Sequence, residues 1–369
     1  MESKGPKHRQ ISEALREQIA AGKYAESKRL PSETELARRF GVSRPTAARA
    51  LRELYELKLI ERRVGSGTYL RSNSTKGSVT RAGPLGLLVP GLGNTEILDP
   101  ICTEITRFGQ SNGFEILWGD ASSPVASAAD AEQLCRQYIE RKVAGVFFAP
   151  LESIPEREQV NLRITSALRA AGIAVVLLDR DACEFPGRSQ FDLVAIDNFH
   201  AGLILTEHLI GLGQRRFLFL ARPSFPATTD LRLAGCREAS ARAGLPQPQV
   251  RIGEPSEAGF VRELLQTKAP EAIICSNDRN AALLIQTLSN LGLRLIKDMR
   301  VVGFDDVRYA TLLAVPLTTI RQPCREIGQA AVRTMSERIE DSSLPARQIL
   351  LPVELVVRQS CGAGASSQS

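Results

Sequence analysis

The sequence predicts an α/β protein with an N-terminal winged helix-turn-helix, followed by two doubly wound parallel-sheet lobes. Two observations lead to this prediction. Residues 8–70 contain three helical patterns and a hairpin signal, and the rest of the chain alternates apolar runs of strand length with helical segments. Strands that helices cover on both faces lose the alternation of half-buried strands, so continuous apolar runs indicate parallel sheets.

The first two helices follow from apolar spacing and from a capping signal. Within residues 8–23, Ile11 and Leu15 lie on one stripe at helical spacing, which predicts an amphipathic helix. Ser32 and Glu35 have the spacing of a capping box, in which each side chain satisfies a backbone donor of the other residue. A second helix is therefore expected to begin at Ser32.

A turn, a third helix and a hairpin complete this small domain. Gly41 suits a tight turn because it has no Cβ, and Ser43 with Pro45 has the pattern of a helix start. Residues 59–70 form two β-prone segments hinged on Gly65-Ser66-Gly67, which indicates a hairpin. Three helices and a hairpin make a winged helix-turn-helix.

Eight apolar runs beyond residue 84 are the expected strands. Eight strands over this length fit two lobes better than one sheet. In chain order the runs are LGLLVP, FEILWG, GVFFAP, AVVLLD, LVAID, RFLFLA, AIICS and RVVGF.

These patterns divide the chain into four segments. Residues 1–71 are the expected winged-helix domain. Residues 72–83, rich in Gly, Ser and Thr, are expected to be a flexible linker. Residues 84–360 form the two-lobed domain, and residues 361–369 lack the means to bury surface and are expected to be a disordered tail.

Charge and composition limit the classes of function. Residues 1–83 contain 18 Lys and Arg against 9 Asp and Glu, and the remainder contains 29 against 32. A basic excess on one small domain is typical of nucleic-acid contact, with an ordinary solvated basic face as the alternative. The N-terminus is charged and no stretch of eighteen apolar residues exists, so we expect a cytoplasmic protein without a membrane partner.

The cysteines and histidines do not suggest a metal site. Seven cysteines are scattered without a C-x-x-C pair, and no histidine lies at metal-ligand spacing. The cysteines are therefore expected to be small apolar core residues in a reducing compartment, and no metal or other cofactor is predicted.

The N-terminal segment resembles the winged-helix domain of the gluconate-repressor (GntR) family. The resemblance implies that this domain binds double-stranded DNA. It rests on four motifs, namely Leu30-Pro31-Ser32-Glu33, Gly41-Val42-Ser43-Arg44, the Ala-Leu-x-x-Leu run at residues 50–54, and Gly65-x-Gly67-Thr68 in the wing.

The predicted DNA contacts lie at the start of the third helix and in the wing. A recognition helix presents its N-terminal residues to base edges, and Arg is the commonest side chain in contact with guanine. Arg44 is the candidate for base readout, Ser43 and Thr46 for phosphate contacts, and Arg49 for backbone or base. Gly67 allows a close approach of the backbone to DNA.

Some of these assignments have structural alternatives. Ser43 could serve only as a helix cap. The family often has Arg at the position of Ala48, so one contact expected from the resemblance is absent here. Four further arginines form a second rank, for which plain solvent exposure is the alternative: Arg38, Arg39, Arg62 and Arg63.

Residues 83–359 resemble the effector domain of the lactose-repressor (LacI) family, which is related to periplasmic sugar-binding proteins of type I. The resemblance implies an effector-binding and dimerisation domain. Its landmarks, in order, are Leu88-Val89-Pro90, Leu178-Asp179-Arg180, Ile196-Asp197-Asn198, His208-Leu209, Leu212-Gly213-x-Arg215-Arg216, Arg232-Leu233-Ala234-Gly235, Cys275-Ser276-Asn277-Asp278, Gly303-Phe304-Asp305-Asp306, and PLTTIRQP at residues 316–323.

Candidate effector ligands follow from strand ends. In doubly wound sheets a ligand binds in the crevice outside the carboxyl ends of the strands, and Asp179, Asn277 and Asp305 each follow an apolar run closely. Carboxylates and amides there can bind ligand hydroxyls, and Arg232 can supply a forked donor. The resemblance implies that all four line the pocket. Weaker candidates are Gln322 and Phe225.

Other readings of the acidic and aromatic residues stay open. Asp179 and Asp305 could cap loops instead. Trp118 is expected in the core, with stacking on a sugar face as the alternative. Three more aspartates are expected to be caps rather than ligands, namely Asp197, Asp278 and Asp306.

Together the two resemblances imply a sequence-specific transcriptional repressor that binds palindromic operator DNA as a homodimer. A small molecule is expected to control it, and a sugar is the first choice for this effector. The loop Asn94-Thr95-Glu96 replaces an aromatic wall that is common in the family, so an amino sugar or another cationic or polar metabolite is the next choice. A solute-binding receptor without a regulatory DNA role is the alternative. An enzyme is not expected, because no G-x-S-x-G motif or Walker A lysine is present.

Overall fold

The computed structural model describes residues 7–20, 24, 30–56, 60–63, 67–70, 83–90, 96–119, 127–152, 154–223, 225, 227–266, 270–297 and 299–363. The chain forms two compact units, Met1–Arg81 and Ala82–Ser369. The expected linker lies outside the described residues except for Gly83, and the loop residues Asn94 and Thr95 also lie outside them.

The first unit is the predicted winged helix-turn-helix. Its core is formed by side chains of all three helices and the hairpin, including Leu15, Leu36, Leu54 and Ile60. The hairpin strands are antiparallel. The elements are α1 Lys7–Ala20, α2 Glu33–Phe40, α3 Arg44–Glu56, β1 Ile60–Arg63 and β2 Gly67–Leu70.

The local signals of this unit are confirmed. Ser32 Oγ accepts a hydrogen bond from Glu35 N at 3.3 Å, and the Glu35 carboxylate accepts one from Ser32 N at 2.7 Å. Gly41 ends α2 with φ of 60°, a conformation that side chains with a Cβ adopt only at a cost. The helix α3 then begins at Arg44.

The second unit contains two six-stranded sheets, and each forms the centre of one lobe. In the first sheet the strand order is β13-β7-β6-β5-β3-β4, and all pairs are parallel. Its strands are β3 Leu85–Leu88, β4 Ile116–Trp118, β5 Gly145–Phe148, β6 Ala174–Leu178, β7 Asp192–Ile196 and β13 Gln348–Leu351.

The second sheet has the order β14-β12-β11-β10-β8-β9, in which β14 is antiparallel to β12 and the other pairs are parallel. Its strands are β8 Phe217–Ala221, β9 Gln249–Ile252, β10 Ala272–Cys275, β11 Arg300–Asp305, β12 Thr318–Arg321 and β14 Glu354–Val356.

Helices cover both faces of each sheet, and two apolar clusters lie in each lobe, one on each side of the sheet. The chain crosses between the sheets after β7, β12 and β13. The helices are α4 Leu98–Ser111, α5 Ala128–Glu140, α6 Arg157–Ala170, α7 Asn198–Gly211, α8 Ala227–Arg242, α9 Ala258–Gln266, α10 Asp278–Asn290 and α11 Cys324–Glu340, with 3-10 helices at Arg308–Thr311 and Gln359–Cys361.

All eight predicted strands are present, and four more were missed. The strands β9, β13 and β14 lie at sheet edges, where the side chains are half exposed and no apolar run is needed. The strand β12 is buried, but two of its residues are Thr318 and Thr319, whose hydroxyl groups bond to distant parts of the chain. None of these four therefore has the sequence signature of a buried parallel strand.

The expected start of the disordered tail is wrong. Cys361 is buried in the last 3-10 helix, and the hydroxyl of its neighbour Ser360 accepts a hydrogen bond from Thr318 N at 2.8 Å. The sequence around residue 361 is rich in small residues, but contact with β12 orders it. Residues 364–369 lie outside the described part.

Two further properties concern the part of the chain that the structure describes. None of its helices combines the length and apolarity that crossing a bilayer requires. In the same ranges no group of three His, Cys, Asp or Glu side chains is positioned to hold a metal ion.

Candidate functional sites

A cavity of about 450 Å³ lies between the two lobes of the second unit, where the carboxyl ends of both sets of strands meet. The first lobe contributes Glu96, Glu152, Asp179 and Arg180 to its lining. The second lobe contributes, among others, Phe225, Thr228, Arg232, Asn277 and Asp305. Five of the six predicted effector ligands therefore line the cavity, and Gln322 does not.

Asp179 and Arg180 form part of the lining that the first lobe contributes to the cavity. Asp179 directly follows β6 with φ of 67°, and its Oδ2 accepts hydrogen bonds from Arg180 Nε at 3.0 Å and Nη2 at 2.8 Å. Arg180 also donates to Glu152. Burial raises the pKa of Asp179 to about 7, although Arg232 opposes this, and burial lowers the pKa of Arg180 to about 10.

Arg232, from α8, connects three parts of the second lobe. Its Nε donates to Asn198 Oδ1 at 2.9 Å, Nη1 donates to the Ser276 carbonyl at 2.6 Å, and Nη2 lies 3.3 Å from Asp305 Oδ1. The guanidinium carbon lies 4.8 Å from the centroid of the Phe304 ring. Most donors of Arg232 are thus used to fix the cavity wall, which a single sequence motif could not indicate.

Asp305 is held by two neighbours through Oδ1, and its Oδ2 has no hydrogen-bond partner among the described residues. Its backbone has φ of 118°, and its Oδ1 also accepts a hydrogen bond from Gln322 Nε2 at 2.7 Å. Burial raises the pKa of Asp305, which Arg232 and Gln322 oppose. Gln322 therefore holds the Asp305 side chain in place and does not itself line the cavity.

The loop-capping alternative for Asp179 and Asp305 is not what the structure shows. Neither carboxylate accepts a hydrogen bond from a backbone N–H of the described residues. Both residues have a positive φ, a backbone conformation whose energetic cost is often found in functional sites.

Asn277 and Phe225 have local partners as well. Asn277 caps α10, because its Oδ1 accepts a hydrogen bond from Asn280 N at 2.9 Å. The Phe225 carbonyl accepts a hydrogen bond from Nη1 of Arg157, a residue of the other lobe, at 2.6 Å. Asn277 is therefore both a helix cap and part of the cavity lining.

The expectations for the remaining aspartates and for Trp118 are met only in part. Asp197 caps α7 through His200 N at 2.9 Å. Asp278 instead accepts a hydrogen bond from Thr319 Oγ1 at 2.6 Å and another from a loop amide, and Asp306 forms ion pairs with arginines. Trp118 is 41% exposed at the end of β4, so the prediction of a core position is wrong, and it does not line the cavity.

Sequence reasoning missed a contact between the lobes. Tyr309 Oη donates a hydrogen bond to Glu96 Oε1 at 2.5 Å. Glu96 belongs to the loop that replaces the aromatic wall of the family, but no sequence pattern connects it with Tyr309, which lies in a 3-10 helix far along the chain.

In the first unit, the candidate DNA-contact residues lie at the start of α3 and in the hairpin. Arg44 and Arg49 are exposed. Ser43 occupies the cap position, since its carbonyl accepts from Thr46 N at 3.0 Å, while its hydroxyl lies 2.8 Å from the Thr46 hydroxyl. Gly67 begins β2.

Two of the second-rank arginines lie on α2 and two lie on β1. Arg38 and Arg39 are exposed on α2, and the Arg39 guanidinium carbon lies 5.4 Å from the centroid of the Phe40 ring. Arg62 and Arg63 belong to β1, and their side chains lie outside the described part.

Comparison with known proteins identifies both units. The description "Bacterial regulatory proteins, gntR family" matches residues 7–70, and "Periplasmic binding protein-like domain" matches residues 206–361. The arabinose metabolism transcriptional repressor of Geobacillus stearothermophilus is 29% identical over 376 residues, which cover 96% of this chain and 97% of the relative.

Shorter matches and solved structures agree with this assignment. The ribose operon repressor of Escherichia coli (strain K12) is 33% identical over 186 residues, covering 49% of this chain and 56% of the relative. The structure of the transcriptional regulator CelR in complex with cellobiose has a TM-score of 0.64 at 22% identity, covering 90% of this chain and all of that chain, and shows the same fold. The chain thus joins a gntR-family DNA-binding domain to a periplasmic-binding-protein-like domain, and the relatives that it resembles are transcriptional regulators.

Proposed function

We propose that this protein is a sequence-specific DNA-binding repressor whose affinity for its operator is controlled by a sugar in the cavity between the lobes. The observation that carries the proposal is the cavity of about 450 Å³ lined with polar groups from both lobes, in a chain that also has a gntR-family domain. A solute-binding receptor would use the same cavity, but the gntR-family domain favours a regulator.

The chemistry of the cavity supports a polyhydroxylated ligand. Asp179 Oδ1 and Asp305 Oδ2 accept no hydrogen bond from the described residues, so each carboxylate keeps an oxygen available. Such oxygens accept hydrogen bonds from ligand hydroxyl groups, and Asn277 can share them. The relatives named for arabinose and ribose support a sugar in the same way.

In this proposal the start of α3 reads DNA. Arg44 contacts a base edge, Ser43 and Thr46 contact phosphate, Arg49 contacts backbone or base, and Gly67 brings the wing close to the duplex. A homodimer places two such helices on a palindromic operator with half-sites about one helical turn apart. A protein that binds the chromosome in this way acts in the cytoplasm.

The effector acts by binding one arrangement of the lobes better than another. The contacts between the lobes, Tyr309 to Glu96 and Arg157 to the Phe225 carbonyl, are those that such a rearrangement would make or break. Differential binding of about 1–3 kcal/mol is enough for useful switching.

Selection of binding sites from random-sequence DNA, followed by fluorescence anisotropy with and without sugars, tests the proposal. We expect a palindromic site and at least one sugar that changes its affinity. Arg44→Ala should weaken DNA binding by about 1–3 kcal/mol and leave sugar binding unchanged. Asp305→Asn should weaken sugar binding and leave DNA binding unchanged. Failure to select any preferred sequence would rule out the proposed regulator.

A further inference from the structure

The wall that the second lobe contributes to the cavity contains two buried polar atoms that have no hydrogen-bond partner among the described residues. They are Nε of Arg222 and Oδ1 of Asn280, and both residues line the cavity. Asn280 itself is only 3% exposed. Native proteins leave few such atoms unsatisfied, because each loses its hydrogen bond to water on burial. A ligand that accepts from Arg222 and donates to Asn280 would satisfy both atoms.

The positive charge of this wall is not balanced inside the cavity. Arg222 forms an ion pair with Glu254 at 2.8 Å, but Glu254 does not line the cavity. Arg279 lines it, is exposed, and has no ion-pair partner among the residues that the structure describes. Arg180 and Arg232, by contrast, are paired with carboxylates of the cavity itself.

The acidic residues of the cavity are less available for a cationic ligand than their number suggests. Glu152 and Asp179 both bind Arg180, and Glu96 accepts a hydrogen bond from Tyr309. Burial also raises the pKa of Asp179 to about 7, so this carboxyl group is partly protonated near neutral pH. Glu96, the acidic residue of the loop that favoured an amino sugar in the sequence, therefore already has a protein partner.

Two helices begin at the same wall, and each has one aspartate in its first turn, Asp230 in α8 and Asp278 in α10. Thr228 and Thr229 line the cavity from the first turn of α8, and Ser276 and Asn277 line it at the start of α10. The first N–H groups of a helix have no acceptor within the helix, and the helix dipole makes this end favourable for anions. Both unsatisfied atoms belong to residues close to these helix starts, because Asn280 lies in the first turn of α10 and Arg222 precedes α8 in the chain.

We propose that the effector is an anionic sugar derivative. Its phosphate or carboxylate group binds against Arg222, Arg279 and the start of α10, while a neighbouring hydroxyl group donates to Asn280. This inference rests on the proposed function, because it names the chemical class of the ligand of that same cavity.

Isothermal titration calorimetry of the full-length protein with matched ligand sets tests the inference. Each set contains a neutral sugar, its phosphate ester and its sugar acid, such as D-ribose, ribose 5-phosphate and ribonate, or D-glucose, glucose 6-phosphate and gluconate. We expect one anionic member to bind at least tenfold more tightly than its neutral parent. The comparison of ester with acid shows which anionic group the site takes.

Substitutions then locate the anionic group. Arg279→Gln and Arg222→Gln should each weaken binding of the anionic ligand by tenfold or more and change binding of the neutral parent by less than twofold. Arg279 is exposed, so its variant should fold normally. The matched control is Arg262→Gln, an exposed position of α9 outside the cavity, which should change neither.

The outcomes separate this inference from the proposed function. Neutral sugars that bind as tightly as their anionic derivatives, in a way that Asp305→Asn abolishes, would overturn the anionic class and leave the sugar-controlled regulator intact. Tight anion binding that is insensitive to both arginine variants would also overturn the inference. A protein that binds no member of any set would count against both proposals.

Discussion

Tyr309 and Glu96 join the two lobes, with 2.5 Å between the phenol oxygen Oη and the carboxylate oxygen Oε1. Tyr309 belongs to the second lobe, and Glu96 precedes α4 of the first. Burial and the neighbouring Glu96 raise the pKa of Tyr309, so the phenol remains a donor at physiological pH. The pair thus contributes to the arrangement in which both lobes contact the cavity.

Tyr309→Phe should weaken effector binding about fivefold. The substitution keeps the ring but removes the donor, and a typical hydrogen bond contributes about 1 kcal/mol net. The change is measured by isothermal titration calorimetry, with an effector that the comparison of neutral and anionic sugars identifies. Tyr55→Phe, at an exposed position of the first unit, is the control and should leave the dissociation constant unchanged. Equal affinities of Tyr309→Phe and the original protein would show that this contact does not stabilise the bound arrangement.

Arg232→Gln should lower the free energy of unfolding of the second unit by about 3–5 kcal/mol. The substitution leaves the buried Asp305 carboxylate without its cation, and an uncompensated buried charge is strongly destabilising. Urea denaturation followed by the fluorescence of Trp118, the single tryptophan of the chain, reports on this unit. Arg279→Gln is the control and should stay within about 0.5 kcal/mol, since Arg279 is exposed. A loss of under 1 kcal/mol for Arg232→Gln would contradict the assigned role.

The stability conferred by Asp179 should decrease as the pH rises. Its folded pKa of about 7 lies above the ordinary value of 3.8 for an aspartate, so the folded protein holds the proton more tightly than the unfolded chain. The stabilising contribution is complete below pH 3.8 and is lost as the pH rises through 7. Urea denaturation between pH 5 and 8 should therefore show the original protein losing stability relative to Asp179→Asn. A difference between the two proteins that is constant over this range would refute the assignment.

Gly202→Ala should destabilise the second unit by about 1–3 kcal/mol and weaken effector binding. A Cβ at Gly202 on α7 would lie 2.0 Å from the Arg232 carbonyl oxygen, so α8 would have to move together with its cavity residues. Gly211→Ala is the matched control at the end of the same helix, because a Cβ there meets no atom within 4 Å. Thermal melting and calorimetry compare the two variants, and equal behaviour would mean that the α7 to α8 packing tolerates the extra methyl group.

Local signals were enough to predict the first unit. The Ser32 and Glu35 capping box and the turn at Gly41 depend on residues at most three or four positions apart, so the sequence shows both partners together. Eight of the twelve strands of the second unit were predictable for a related reason. A strand buried on both faces must be apolar throughout, whatever its neighbours are.

The missed strands show where this reasoning fails. Thr318 and Thr319 of β12 are polar, yet they are fully buried, because Thr318 donates to the Arg358 carbonyl at 3.0 Å and Thr319 donates to Asp278 at 2.6 Å. Those partners lie 40 and 41 positions away in the chain. Only the folded chain provides them.

The residues of the candidate cavity were likewise predictable from the sequence only in part. The sequence by itself determined that Asp179, Asn277 and Asp305 lie at the carboxyl ends of strands, and because parallel strands open these ends to one crevice, this was enough to bring them to one cavity. Only the tertiary structure decided that Arg232 is held by protein groups and that Tyr309 meets Glu96, 213 positions earlier in the chain. The physical reason is that strand ends follow from short-range patterns, whereas the charge left free for a ligand depends on pairs of side chains that meet only after the chain has crossed between the two sheets.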